Sequence, residues 1–218
     1  LKTKIKICCI QNVDEAKLAI TFGASALGLV SKMPSGPGVI SEEKILEIAK
    51  STPPTIATFL LTSLTNAEEI ISQHNRCRTN TIQFVDAIPF GEYKKIRDAL
   101  PGISLVQVIH VRDETAIDEA KEVQHYIDAI LLDSGNPNLH VKELGGTGRT
   151  HNWNISRKLR TSVNVPIFLA GGLSPENIRE AIETVLPFGV DICSGVRTNG
   201  ILDEVKLEKF VAAVNADL

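Results

Sequence analysis

No apolar run in this 218-residue chain approaches the roughly 18 residues a membrane span requires, so membrane-spanning classes are set aside. The formal net charge of −3 gives no general attraction to nucleic acid or anionic lipid. The start, Leu1-Lys2-Thr3-Lys4, lacks both an initiator Met and a signal-peptide apolar core; a trimmed or partial start is expected. The four cysteines, Cys8, Cys9, Cys77 and Cys193, form no C-x-x-C pair, which removes the usual zinc-ligand spacings. Cys8 and Cys9 are adjacent, too strained a geometry for a routine disulfide, and the default location is a reducing cytoplasm. No linker or low-complexity tract divides the chain, so one domain over residues 1–218 is expected.

What is present is an ordinary globular mixture, 43% hydrophobic and 22% charged, arranged in a repeating order. Short β-rich runs fall at 4–8, 26–30, 55–60, 81–85, 105–109, 129–133, 165–170 and 190–194. Amphipathic helical stretches follow them at 13–22, 42–50, 66–74, 91–100, 114–123, 154–161, 175–186 and 204–213. The strand runs are nearly continuous in apolar residues, as strands covered on both faces are. Eight such units predict an α/β fold, a single-domain (β/α)8 TIM barrel. An open doubly wound sheet is the structural alternative, but it normally carries a glycine-rich turn after its first strand, and here that segment reads Cys9-Ile10-Gln11-Asn12.

In a barrel the C-terminal strand ends converge on one mouth. Those ends are Cys8, Ser31, Thr62, Asp86, His110, Asp133, Gly171-Gly172 and Ser194-Gly195. Asp133 follows four apolar residues, so its carboxyl is paired, solvated or functional. A thiol at Cys8 acts as a base only as thiolate, and Lys6, two residues back on the same strand face, supplies positive charge; the alternative is a small buried apolar residue. Cys9 is expected to point the opposite way into packing, Cys193 to be structural, and Cys77 to be structural in a surface-like segment. The two richest loop signals, Pro34-Ser35-Gly36-Pro37-Gly38 and Asn136-Pro137-Asn138, both follow strands and so belong to the mouth. Glycine amides after strands six, seven and eight, with Gly146, Gly148, Gly171, Gly172, Ser194 and Gly195, suit a phosphate group. Ser174-Pro175-Glu176-Asn177 then reads as the start of a helix.

Taken together these segments resemble the phosphoribosylanthranilate isomerase family. The matching pieces are Lys6-Ile7-Cys8, Leu131-Leu132-Asp133, Gly145-Gly146-Thr147-Gly148-Arg149-Thr150 with Trp153, the run 169–177, and Asp191-Ile192-Cys193-Ser194-Gly195-Val196. The resemblance implies an Amadori rearrangement of an aminoaldose phosphate to an aminoketose phosphate in amino-acid (tryptophan) biosynthesis. It implies that Asp133 protonates the furanose ring oxygen and that Cys8 removes the proton from C2. It implies no metal and no cofactor, because the iminium is itself the electron sink. The partner is the small phosphorylated substrate, and the family contains monomers and homodimers.

The chain departs from the family in a few places. Cys9 stands where the family has glycine. Gly38 falls near the arginine that grips the anthranilate carboxylate. Gln83-Phe84-Val85 replaces Gln-Leu-His, His151-Asn152-Trp153 replaces Phe-Asp-Trp, and Arg197 replaces a common acidic residue. Lys32, Arg112, Arg149 and Arg197 are the candidate replacement cations, and His110 is either a second proton carrier or a hydrogen-bonded core residue. Two further readings stand beside the leading one: the same chemistry on a different phosphorylated sugar amine, and a non-catalytic barrel that binds a phosphorylated metabolite. Aldol or epimerase chemistry is disfavoured, because no clear set of Lys, metal ligands or paired carboxylates sits at the strand ends.

Overall fold

Eight parallel strands close on one another in chain order, and each hands the chain to a helix on the outside. The computed structural model describes residues 2–216. The strands are β1 (Lys4–Ile7), β2 (Ala26–Val30), β3 (Ala57–Thr62), β4 (Thr81–Phe84), β5 (Ser104–His110), β6 (Ala129–Asp133), β7 (Ile167–Leu169) and β8 (Gly189–Ile192). The helices are α1 (Val13–Thr21), α2 (Glu42–Ser51), α3 (Ala67–Cys77), α4 (Phe90–Ala99), α5 (Thr115–Val123), α6 (Trp153–Ser162), α7 (Ile178–Val185) and α8 (Glu204–Asn215). After β8 come a 3-10 turn (Ser194–Val196) and a small hairpin of β9 (Arg197–Thr198) and β10 (Ile201–Leu202). No helix among the described residues is long and apolar enough to cross a membrane.

Local chemistry explains where the helices begin. Asn12, Asn66, Asn152 and Asp203 stand at the N-termini of α1, α3, α6 and α8, and their side-chain oxygens accept amide protons that the first turn leaves unpaired. At α7 the expected start at Pro175 moves to Ile178. There the Ser174 amide donates to Asn177 Oδ1 and the Asn177 amide to the Ser174 carbonyl, so these residues close a turn of their own first.

The strands build two cores. Residues facing outward, such as Ile7, Leu29, Leu60, Ile130, Leu132 and Val190, pack under the helices. Their neighbours one position along fill the barrel: Ala26, Phe59, Leu61, Val106, Val108, Leu131 and Phe168. This period of two sets the chemistry of the mouth. On β6 it turns Ala129, Leu131 and Asp133 inward. Across the β1–β8 seam, Lys6 is in register with Asp191. Cys77, expected near the surface, is fully buried in the last turn of α3, packed in the outer core.

Candidate active site

The mouth of the barrel holds a cleft of about 730 Å3, counted out to its opening. That is within the usual size range of small-ligand pockets. Cys8 lines it from the end of β1 and Asp133 from the end of β6. The two intervening strands, β7 and β8, carry Gly171, Gly172 and Ser194 on the same wall, and the long loop after β6 brings Gly146 and Gly148. Met33, Leu144 and Val85 supply apolar surface to the cleft.

The carboxylate of Asp133 is almost fully buried. Its Oδ1 accepts the Ser134 amide at 2.7 Å, and the carboxylate lies against the bare α-carbons of Gly145 and Gly171. A β-carbon at either glycine would stand 2.7 Å and 3.1 Å from its oxygens respectively. Nearby, His151 is held neutral: burial depresses its pKa to about 4, against the opposing pull of the Asp133 charge. Its Nε2 pairs with Ser156 Oγ at 2.7 Å.

On the other side, Cys8 shares its surroundings with a buried cation. Lys6 Nζ lies 2.8 Å from Asp191 Oδ2, with neither side chain appreciably exposed. Burial works against the Lys6 charge, but Asp191 and the Cys8 and Cys9 thiols outweigh it and raise its pKa. Gly28 of β2 makes room for both groups: a β-carbon there would meet Cys8 Sγ at 2.7 Å and Lys6 Nζ at 3.1 Å. The charge expected beside the thiol from Lys6 is therefore in place.

Cys9 departs from expectation. It is not extended but left-handed, with φ 62°, so its side chain turns toward the cleft it helps to line. Its thiol donates to the Pro37 carbonyl at 3.7 Å. The neighbouring Cys193 thiol, which lines the cleft too, then the Cys8 thiol and burial push the Cys9 pKa up, and Cys9 in turn draws that of Cys193 down. Gly38 lies behind Cys9 rather than in the cleft. A β-carbon there would overlap Cys9 Cβ and stand 2.9 Å from its Sγ.

The phosphate-type wall is made of backbone. Gly171 and Gly172 take φ of 82° and 60°, and among the described residues no protein acceptor takes their amides or those of Ser194 and Gly195. Such amides at the start of a short helical turn are anion donors. Gly195 is not in the cleft lining; it is required because a β-carbon would collide with the Leu173 carbonyl.

The basic candidates separate. Arg197 is buried in a bidentate pair with Glu15, both contacts 3.0 Å, and does not line the cleft where a ligand was expected to meet it. Arg149 pairs with Glu143 on the exposed loop, and Arg112 is exposed and lines no part of the cleft. Lys32 is exposed on the rim, in a groove that shares Met33 and Leu144 with the cleft. Among the described residues it has no ion pair, whereas its groove neighbour Lys142 is paired with Asp86. His110 is a hydrogen-bonded core residue: its Nε2 meets the Val85 carbonyl at 3.1 Å and its ring packs under Gly135.

Three features escaped the sequence. Asp191 was read as part of a motif, without the lysine that makes it an ion pair. Gln83 enters the cleft from β4 with its carbonyl oxygen buried and unpaired among the described residues. Glu15 sits in a helix with nothing local to mark it, since its partner is 182 residues away. A period-two reading of β4 and β8 would have turned Gln83 and Asp191 inward; no local signal exists for Glu15.

The comparisons with known proteins agree over nearly the whole chain. Residues 5–213 match the family model described as N-(5'phosphoribosyl)anthranilate (PRA) isomerase. An N-(5'-phosphoribosyl)anthranilate isomerase of Methanocella arvoryzae is 33% identical, covering 97% of this chain and 98% of its own length. A second from Methanosarcina mazei is 35% identical over 98% of this chain and 95% of its own. Among solved structures, the Thermotoga maritima phosphoribosyl anthranilate isomerase superposes with a TM-score of 0.83 at 29% identity, covering 97% of this chain and 98% of that one. Another isomerase structure, TM-score 0.81 at 27% identity with the same coverage, holds reduced 1-(o-carboxyphenylamino)-1-deoxyribulose 5-phosphate. The chain belongs to the N-(5'-phosphoribosyl)anthranilate isomerase family.

Proposed function

We propose that the protein isomerises N-(5'-phosphoribosyl)anthranilate to the corresponding aminoketose phosphate, with Asp133 as general acid and Cys8 as general base. The observation that carries this reading is the placement of the two groups. They line one cleft from β6 and β1, with the glycine amides of the β7 and β8 loops between them. A phosphate held on those amides sets the sugar between acid and base. Asp133 delivers its proton to the furanose ring oxygen, the ring opens, and the nitrogen lone pair forms the Schiff base. Cys8, as thiolate beside the Lys6 ammonium, then takes the proton from C2, and the electron pair moves onto the iminium. The resulting enol-amine tautomerises to the ketone.

The carboxylate of the aromatic ring needs a cation, and Gly38 cannot provide it. Lys32 is the one we assign, because its groove continues the cleft past Met33 and Leu144. Freshly made N-(5'-phosphoribosyl)anthranilate loses its fluorescence on turnover. Wild-type protein is expected to quench it, Cys8→Ser and Asp133→Asn to abolish the quenching, and Lys32→Ala to raise KM about tenfold with little change in kcat. Undiminished turnover by either cleft variant would remove that residue from its role. No turnover by the wild type, with inorganic phosphate still bound, would favour another phosphorylated sugar amine.

A further inference from the structure

We propose that Glu15 and Arg197, both outside the cleft, are positioning residues that hold the thiol of Cys8 in place through its backbone. The inference rests on Cys8 as the base. The β1 ladder ends at Ile7. Beyond it the Cys8 amide is still held by the Ile192 carbonyl at 2.8 Å, but the Cys8 and Cys9 carbonyls leave the sheet. Both are taken by one nitrogen of Arg197: Nη2 donates to Cys9 O at 2.6 Å and to Cys8 O at 3.3 Å. The same guanidinium is fixed from behind by Glu15, and its Nη1 also donates to Gly200 O at 2.9 Å.

Glu15 is itself fully engaged. Its oxygens accept the Gln11 amide at 3.0 Å and the Leu202 amide at 3.1 Å, tying α1 and the β9–β10 hairpin to the end of β1. The two side chains are 9% and 6% exposed. A buried ion pair adds little net stability over apolar packing, so its place here is better explained by what its donors reach. They reach the peptide that follows the base, where Cys9 holds a left-handed conformation that a side chain disfavours. An orientation set this way is what proton abstraction at carbon demands, because an error of about 1 Å costs on the order of 100-fold in rate.

The test uses the full chain and two readouts: kcat by substrate fluorescence, and competitive inhibition by inorganic phosphate, which reports the glycine wall on β7 and β8. Arg197→Lys keeps the charge for Glu15 but cannot reach both carbonyls. It is expected to lower kcat about 10- to 100-fold, with the phosphate inhibition constant within about twofold of wild type. In a Cys9→Gly background, where the left-handed peptide no longer needs to be held, the same substitution is expected to cost at least about threefold less. Glu15→Gln, which keeps an acceptor for the neighbouring amides, is expected to follow Arg197→Lys. An Arg197→Lys protein with normal kcat, beside an inactive Cys8→Ala, overturns the positioning role and leaves the base intact. Turnover by Cys8→Ala overturns the base and the proposal with it. Failure of both Arg197→Lys and Glu15→Gln to fold, a parallel fall in kcat and phosphate binding, or an equal cost in the Cys9→Gly background assigns the pair to structure alone.

Discussion

A side chain at position 38 and a side chain at position 9 compete for one space, and this can be measured. Gly38 has φ 79°, a conformation that costs a non-glycine residue about 1–2 kcal/mol. Its β-carbon would also overlap Cys9 Cβ and stand 2.9 Å from Cys9 Sγ, contacts of the kind that cost about 1–3 kcal/mol when forced into a packed interior. Gly38→Ala alone is therefore expected to destabilise by about 2–5 kcal/mol. Cys9→Gly alone is expected to be nearly neutral. It relieves the left-handed strain at φ 62°, worth about 1 kcal/mol, and loses about the same from a buried thiol. In the double variant the overlapping atoms are gone, although the Cys9 α-carbon remains 3.0 Å from the added methyl group. The Gly38→Ala cost should then fall to little more than its conformational part, a coupling of about 1–2 kcal/mol. Urea unfolding of the four proteins, with m-values checked for constancy, gives the coupling directly. Additivity within about 0.5 kcal/mol would refute the shared-space argument.

Other expectations follow from the same geometry. Gly28→Ala drives a methyl group into Cys8 Sγ and toward Lys6 Nζ, so kcat should fall by about 100-fold while phosphate inhibition stays near wild type; steady-state kinetics decide it. Lys6→Met leaves Asp191 buried without its ammonium and should cost about 3–5 kcal/mol in urea unfolding, most of it recovered by Lys6→Met with Asp191→Leu. His151 has a folded pKa of about 4, below its unfolded value. The unfolded chain thus binds more protons between the two, and this contribution, whole above about pH 6.5, is lost as pH falls toward 4, amounting to roughly 3 kcal/mol. Stability measured at pH 7 and pH 5 should differ less in His151→Gln than in wild type.

How much of this was legible depended on whether the signal was local. The strands and helices were, because period and length are properties of neighbouring residues: the segments 26–30 and 129–133 coincide with β2 and β6. The barrel rule then carried Cys8 and Asp133 to one mouth without any long-range information. The third strand, read at 55–60, is found at Ala57–Thr62, since residues after Pro53-Pro54 close a turn in which the Ile56 amide donates to the Pro53 carbonyl. The eighth stops at Ile192 rather than Ser194 because Cys193 leaves extended geometry, with ψ −84°, to enter the 3-10 turn. Reading Cys9 as extended failed for a related reason. Alternation of side chains holds only while the ladder lasts, and the ladder ends at Ile7. Nothing local marks Arg197 as a buried partner of Glu15; an arginine after a strand looks the same whether it meets a ligand or a carboxylate from the first helix.

Three departures that look independent along the chain meet around the end of β1. Cys9 in place of glycine puts a thiol where a side chain at 38 would stand, so a residue bearing a β-carbon at 38, arginine included, is disfavoured while Cys9 is there. Cys9 also keeps a backbone conformation suited to glycine, and its carbonyl is held by Arg197 Nη2 at 2.6 Å. An acidic residue at 197 would face that carbonyl and the Glu15 carboxylate with charge of the wrong sign. Positions 9, 38 and 197 therefore constrain one another: a reversion at 38 or 197 alone should be harmful, whereas Cys9→Gly alone should be nearly neutral. On the proposed roles, the missing arginine is a consequence of how the base is supported. It is not, taken alone, evidence that the aromatic acid has been abandoned as substrate. In the proposed function the demand for a cation falls instead on the rim, where Lys32 stands at the groove that opens from the cleft.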